Sequence, residues 1–230
     1  MSTHELSVVL AHGAWADGSS WAKVIAPLQA AGHKVLAAPL PLSSFDADVA
    51  AVEQTVERAQ GPVLLVAHAY AGAVIAAVSN DRVKALVYIS ALAPDQGETV
   101  ANVFYRAAPH PRAPKLAPDR HGLIYLPDGA FAEAFAPNAT PEEQGQLAAV
   151  QRPIAPACIS TPVPRPRWRD LPSWFLLAEQ DYMILPETQQ FMAQRMGARA
   201  HRHPVDHTPL VTAPKVVIDI IRESIAALSA

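Results

Sequence analysis

Val63-Leu-Leu-Val-Ala-His-Ala-Tyr-Ala-Gly72 is the stretch on which the reading of this chain turns. It begins as an uninterrupted apolar run, as expected of a strand covered on both faces of a parallel sheet. It ends in small residues that lead into a helical segment. A sharp strand-to-helix turn of this kind is where a G-x-S-x-G nucleophile elbow holds its serine. Here the five positions are Ala67, His68, Ala69, Tyr70 and Ala71. The flanking residues are still small, but the central one is a methyl group that cannot attack anything. On this motif alone, an ordinary buried turn is the better reading.

Outward from that stretch, short apolar runs alternate with helical patterns, the mark of βα units and a parallel sheet. The runs that read as strands are 6–11, 34–38, 62–68, 83–90, 173–178 and 199–204. Helices are expected over 20–31, stopped by Gly32, and over 46–59, where Val49, Val52 and Val56 share a face. Two more are expected over 186–196, stopped by Gly197, and over 213–228, where Val216, Val217, Ile220, Ile221 and Ile225 recur at helical spacing.

Residues 92–170 break the rhythm. They hold most of the 22 prolines, short helix signals and no clear strand. One helix is expected at 141–150, with Thr140 and Glu143 placed as a capping box. The segment is too long for a simple connection. It reads as a small cap over the sheet's C-terminal edge, packed through Phe104, Tyr105, Tyr125, Phe131, Phe135 and Trp168. The expected organisation is therefore a core of residues 1–91 and 171–230 with a cap of residues 92–170.

Bulk properties exclude several classes. In 230 residues, half are apolar, 17% are charged and the formal net charge is -3, which suits one globular domain without a basic face for nucleic acid. No apolar run approaches the ~20 residues of a membrane helix, and no leader pattern opens the chain. A single cysteine, Cys158, rules out an internal disulfide, fits the cytoplasm and reads as a packing residue. No zinc-type spacing occurs, so neither metal nor cofactor is expected.

Three further features give the elbow chemical meaning. The first strand runs into His12-Gly13-Ala14-Trp15, whose backbone amide at Ala14 can join that of Tyr70 as an oxyanion hole. Asp181 follows the 173–178 strand, and His207 follows the last strand. The chain order of nucleophile, acid and histidine, each at a strand end, is that of the α/β-hydrolase fold.

The chain resembles the small α/β-hydrolases related to plant methyl esterases and hydroxynitrile lyases. The resemblance rests on His12-Gly-Ala-Trp-Ala-Asp-Gly-Ser-Ser-Trp21, Ala30-Ala-Gly-His-Lys-Val35, the elbow, Ala85-Leu-Val-Tyr-Ile-Ser90, Ala178-Glu-Gln-Asp-Tyr-Met-Ile184 and the His207 segment. It runs nearly end to end and matches the cap least. It implies an α/β-hydrolase fold: a mostly parallel sheet of about six strands flanked by helices, with a small Pro-rich cap inserted before the acid-bearing strand. The usual elbow of this group reads G-H-S-Y-G-G, which puts Ala69 on the serine and Ala67 and Ala71 on glycines. Hydroxynitrile lyases of the group carry a threonine where this chain has Gly13 and a lysine where it has Thr208. Ester hydrolysis is favoured accordingly.

The resemblance implies Ala69 at the nucleophile position, with His207 as general base and Asp181 as its acid; Asp95 competes for the acid's role. The partner expected is a small-molecule ester, in a pocket lined by Trp15, Met183, Phe104 and Tyr125, with a homodimer as an open option. The cap's cations, Arg106, Arg112, Lys115, Arg120, Arg152, Arg165, Arg167 and Arg169, offer a grip for a substrate carboxylate; a solvated rim is the plainer reading. A machine complete but for one oxygen points to an engineered replacement of serine. The competing accounts are a natural protein that binds without cleaving and histidine-driven lyase or cofactor-free chemistry.

Overall fold

A computed structural model of the chain describes residues 6–229, with Ser229 described by its backbone alone. The opening residues 1–5, and with them most of the stretch searched for a leader, lie outside the described residues. Six strands form one sheet: β1 (Ser7–Ala11), β2 (Lys34–Ala38), β3 (Val63–His68), β4 (Val83–Ile89), β5 (Ser173–Ala178) and β6 (Arg199–His203). Their spatial order is β2-β1-β3-β4-β5-β6, and every pairing is parallel.

Burial follows the sequence pattern. Strands β1, β3 and β5 are buried at every position, whereas β6, Arg-Ala-His-Arg-His, forms an exposed polar edge. Charged side chains on an edge strand discourage pairing with another sheet. Because the chain steps from β1 to β2 on one side and to β3 on the other, the strand order reverses between β1 and β3. Open α/β sheets bind ligands at the C-terminal ends of such a switch point.

Ten helices are described: α1 (Ala22–Ala30), α2 (Phe45–Arg58), α3 (Ala71–Ala77), α4 (Val100–Phe104), α5 (Asp128–Ala130), α6 (Pro141–Val150), α7 (Pro156–Ser160), α8 (Pro186–Met196), α9 (Pro209–Thr212) and α10 (Pro214–Ser229). The helix expected over 20–31 divides into a tight 3-10 turn, Gly18–Trp21, and α1. Helix α2 begins at Ser44, whose hydroxyl accepts from the Ala47 amide; Asp46 and Asp48 lie in its first turn and Arg58 in its last, matching the helix dipole. The capping box of α6 forms as read from Thr140 and Glu143. Helix α8 stops at Gly197, which takes the left-handed conformation at φ 63°.

Between β4 and β5 lie α4 to α7, a π-type turn (Phe131–Phe135) and one antiparallel bridge, Ile124 with Ile154. Helix α7 goes unread in the sequence: its five residues start on a proline and are too short to show a period. Phe131, Phe135 and Trp168 are buried, as expected of packing residues, but Tyr105 and Tyr125 are exposed. Cys158 is buried in α7, in keeping with a packing role. Among the described residues, no helix is long and apolar enough to cross a membrane.

Candidate active site

The elbow is one of three strained points at the sheet edge, with Trp15 and Ser90. Ala69 sits between β3 and α3 with φ 49°, a left-handed conformation that alanine adopts at a cost of roughly 1–2 kcal/mol. Two contacts hold it there: the Ala69 carbonyl accepts from the Leu92 amide at 2.9 Å and from the Gly72 amide at 3.2 Å. Gly72 allows helix α3 to lie against the end of β4, since a Cβ there would fall 2.4 Å from the Leu92 carbonyl oxygen. Facing the elbow from β1, Gly13 is equally constrained. A Cβ at that position would lie 2.9 Å from the Ala69 methyl and 3.1 Å from His68 Nδ1.

Two loops away, His207 and Asp181 meet. His207 Nδ1 donates to Asp181 Oδ2 at 2.9 Å, and both side chains are almost wholly buried. Every acceptor site of the carboxylate is directed. Its Oδ1 takes the Met183 and Ile184 amides, both at 2.8 Å, and its Oδ2 also takes Gln189 Nε2 at 2.8 Å. The proton on Nδ1 turns the other ring nitrogen, Nε2, into the acceptor. That tautomer is the one a general base requires.

Asp95 does not reach this histidine; it lies in the grip of Arg169, with Nε donating to Oδ1 at 3.0 Å. Asp206 turns instead to the Asn138 and Thr208 amides and the Thr212 hydroxyl.

One pocket brings these pieces together. Its empty space is about 660 Å³, and its walls include Ala14, Trp15, Ala69, Tyr70, Met183 and His207. The β4–β5 segment supplies Val100, Phe104, Leu116, Ile124, Ile154 and Ile159 on the opposite side. The amides of Ala14 and Tyr70 have no partner among the described residues, while the next one along, Trp15, donates to the Arg152 carbonyl at 3.2 Å.

Trp15, Met183 and Phe104 are therefore where the sequence put them, and Tyr125 is not. Its side chain is 47% exposed, because the neighbouring Ile124 takes the inward direction and pairs with Ile154. In extended chain, adjacent side chains point to opposite faces. Among the described residues, no arginine or lysine lines the pocket. Arg106 covers the Phe191 ring at 3.8 Å, Arg112 lies over Tyr182 at 5.0 Å, and Arg165 pairs with Asp170.

Two contributors escaped the sequence. His68 is buried, and its Nε2 donates to the His207 carbonyl at 2.7 Å, tying the elbow to the histidine loop. Burial holds its pKa well below the histidine range, and the nearby His207 lowers it further. Gln189 on α8 bridges Asp181, the Ile184 carbonyl and the Ala178 amide. No residue pattern announces either bond, since each spans elements that only the fold brings together.

The family model described as Alpha/beta hydrolase family matches residues 8–220. The chain belongs to the alpha/beta hydrolase family. A curated relative, the carbendazim hydrolyzing esterase of Nocardioides sp. (strain SG-4G), is 30% identical over 118 residues, which cover 44% of this chain and 48% of that protein. The match thus spans about half the length of that relative. Among solved structures, a serine-to-alanine form of the pyrethroid hydrolase PytH superposes with a TM-score of 0.83 at 20% identity, covering 98% of this chain and 99% of that one. A methylesterase from Arabidopsis gives 0.78 at 15% identity, covering 96% and 99%. At these identities the likeness is one of fold.

Proposed function

We propose that this pocket is the site of a carboxylic ester hydrolase of the serine type, with Ala69 at the nucleophile position in place of serine. The single observation that carries the proposal is the strained φ of Ala69 in the wall of a pocket shared with an Asp181-oriented His207. Strain of this kind persists where surrounding structure imposes it and clusters at functional sites. The names of the carbendazim esterase, the pyrethroid hydrolase and the plant methylesterase agree with ester chemistry.

With a serine oxygen restored, His207 Nε2 takes its proton as the oxygen bonds to the ester carbonyl carbon. The tetrahedral oxyanion then rests on the Ala14 and Tyr70 amides, each such donor being worth about 3–4 kcal/mol. Collapse breaks the bond to the alcohol, which leaves with the proton held on His207. Water, deprotonated by the same histidine, then releases the acid and regenerates serine. The apolar walls and the absence of a lining cation suit a neutral, largely apolar ester. The segment of residues 92–170 acts as the cap that supplies most of those walls.

In the chain as it stands, Ala69 closes the acyl-enzyme route while leaving the pocket able to bind. Ala69→Ser is expected to raise hydrolysis of short p-nitrophenyl esters by at least about 10⁴-fold, and His207→Ala added to it to abolish the gain. A folded Ala69→Ser protein inactive across a broad ester panel would refute the ester reading. Ligand binding with no turnover in that variant would favour the second account, a non-catalytic binding protein, which the methyl at position 69 itself supports.

A further inference from the structure

Helix α2 buries a charged residue on its inner face. Its buried face comprises Phe45, Asp48, Val52, Thr55 and Val56, so position 48 lies where the helical period calls for an apolar residue. Asp48 is fully buried, and burying a carboxylate is costly unless hydrogen bonds repay it. Natural sequences depart from local rules in this way chiefly at functional sites.

The bonds at Asp48 lead to the elbow. Its Oδ2 accepts from the Tyr70 hydroxyl at 2.7 Å, and its Oδ1 accepts from the Leu42 amide at 2.7 Å. The buried Cys158 thiol of α7 lies beside the same pair. Burial keeps the neighbours neutral: the Cys158 thiol is pushed up to about 12, and the Tyr70 phenol is raised as well. A phenol and a backbone amide thus converge on one carboxylate seated in the first turn of α2.

Tyr70 is also the residue that follows Ala69, and it lines the pocket. As the N-cap of α3 it has no side-chain cap bond, so its side chain leaves the helix and reaches Asp48. A tyrosine has two side-chain torsions. Fixing the hydroxyl at the far end of a rigid ring therefore constrains the backbone at residue 70 and the direction of its N–H.

We propose that Asp48 is a positioning residue that aims the Tyr70 amide at the oxyanion site by anchoring the Tyr70 hydroxyl. This rests on the ester-hydrolase reading of the pocket. Asp48 touches no substrate. It acts through a donor whose placement governs catalysis, and an error of about 1 Å in such a group can cost on the order of 10²-fold.

The test uses Ala69→Ser as the active parent. Adding Asp48→Asn, or separately Tyr70→Phe, is expected to lower kcat by about 10- to 100-fold while KM stays within about 3-fold. Adding Asp48→Val and Tyr70→Phe together leaves no buried charge unpaired, a change that is often neutral or stabilising. This apolar pair is expected to fold, to melt somewhat below the parent because the Leu42 amide loses its acceptor, and still to lose kcat. An inactive parent would defeat the ester reading itself. An active parent whose kcat survives in the well-folded apolar pair, or in either single variant, would overturn the role of Asp48 alone.

Discussion

The floor and the roof of the pocket are built on opposite plans. The floor consists of turns at the ends of β1, β3, β5 and β6, and its polar atoms are held by directed bonds, four of them on Asp181 alone. The roof comes from short helices and Pro-rich connections between β4 and β5, and it presents aliphatic and aromatic side chains such as Phe104, Leu116, Ile154 and Ile159. Strand ends in a parallel sheet are rigid and lie at one edge, so they can hold reacting groups to fractions of an ångström. Short helices on loops cannot offer that precision, but they can vary a pocket's shape cheaply. The difference teaches that the floor should govern turnover and the roof should govern which ligand is held.

The largest effect that can break this division is expected at Asp181. In the Ala69→Ser background, Asp181→Ala should cut kcat by about 10⁴-fold with KM little changed, read by steady-state ester kinetics. A fall confined to KM would mean that Asp181 serves the binding surface rather than the histidine.

The next effect concerns stability. His12 and His68 are buried in the floor, and burial lowers both of their pKa values from 6.5. As pH drops below about 6.5, the unfolded chain takes up protons that the folded chain refuses, so stability declines with acidification. Between pH 7.5 and 5.5 the loss should be at most about 1.4 kcal/mol for each histidine, and denaturant unfolding at the two pH values measures it. Asp48 and Asp206, raised by burial from 3.8, act in the opposite sense. Their stabilising share is full below 3.8 and fades as pH rises through their folded values. His68→Gln should flatten the acid-side slope; an unchanged slope would show that His68 does not contribute.

The smallest effect belongs to the roof. In the Ala69→Ser background, Phe104→Ala removes one aromatic wall and should raise KM for an apolar ester by about 10-fold, with kcat held within a few-fold. A kcat loss as large as that of Asp181→Ala would erase the distinction between floor and roof.

Much of the floor was legible in the residues, because a parallel sheet forces the residue after each strand to the same edge. Reading Ala69, Asp181, His207 and Ala14 as strand-end residues therefore placed them together before any coordinates. The roof was read as a small cap over the sheet's C-terminal edge, with Phe104 and Tyr125 expected in the pocket wall. Its inward and outward sides depend on local alternation and one bridge, which is why Ile124 lines the pocket and Tyr125 does not.

The sequence alone determined the layered βα architecture, the chain order of the candidate site positions and the alanine in the elbow at residue 69, because strand and helix periods and motif spacing are local properties. Tertiary structure alone decided that Asp181, and not Asp95 or Asp206, holds His207, and that Asp48 reaches Tyr70. Those choices are made by hydrogen bonds a few ångströms long between residues distant in sequence. Such bonds have no period and leave no trace in a linear pattern until the sheet has closed around them.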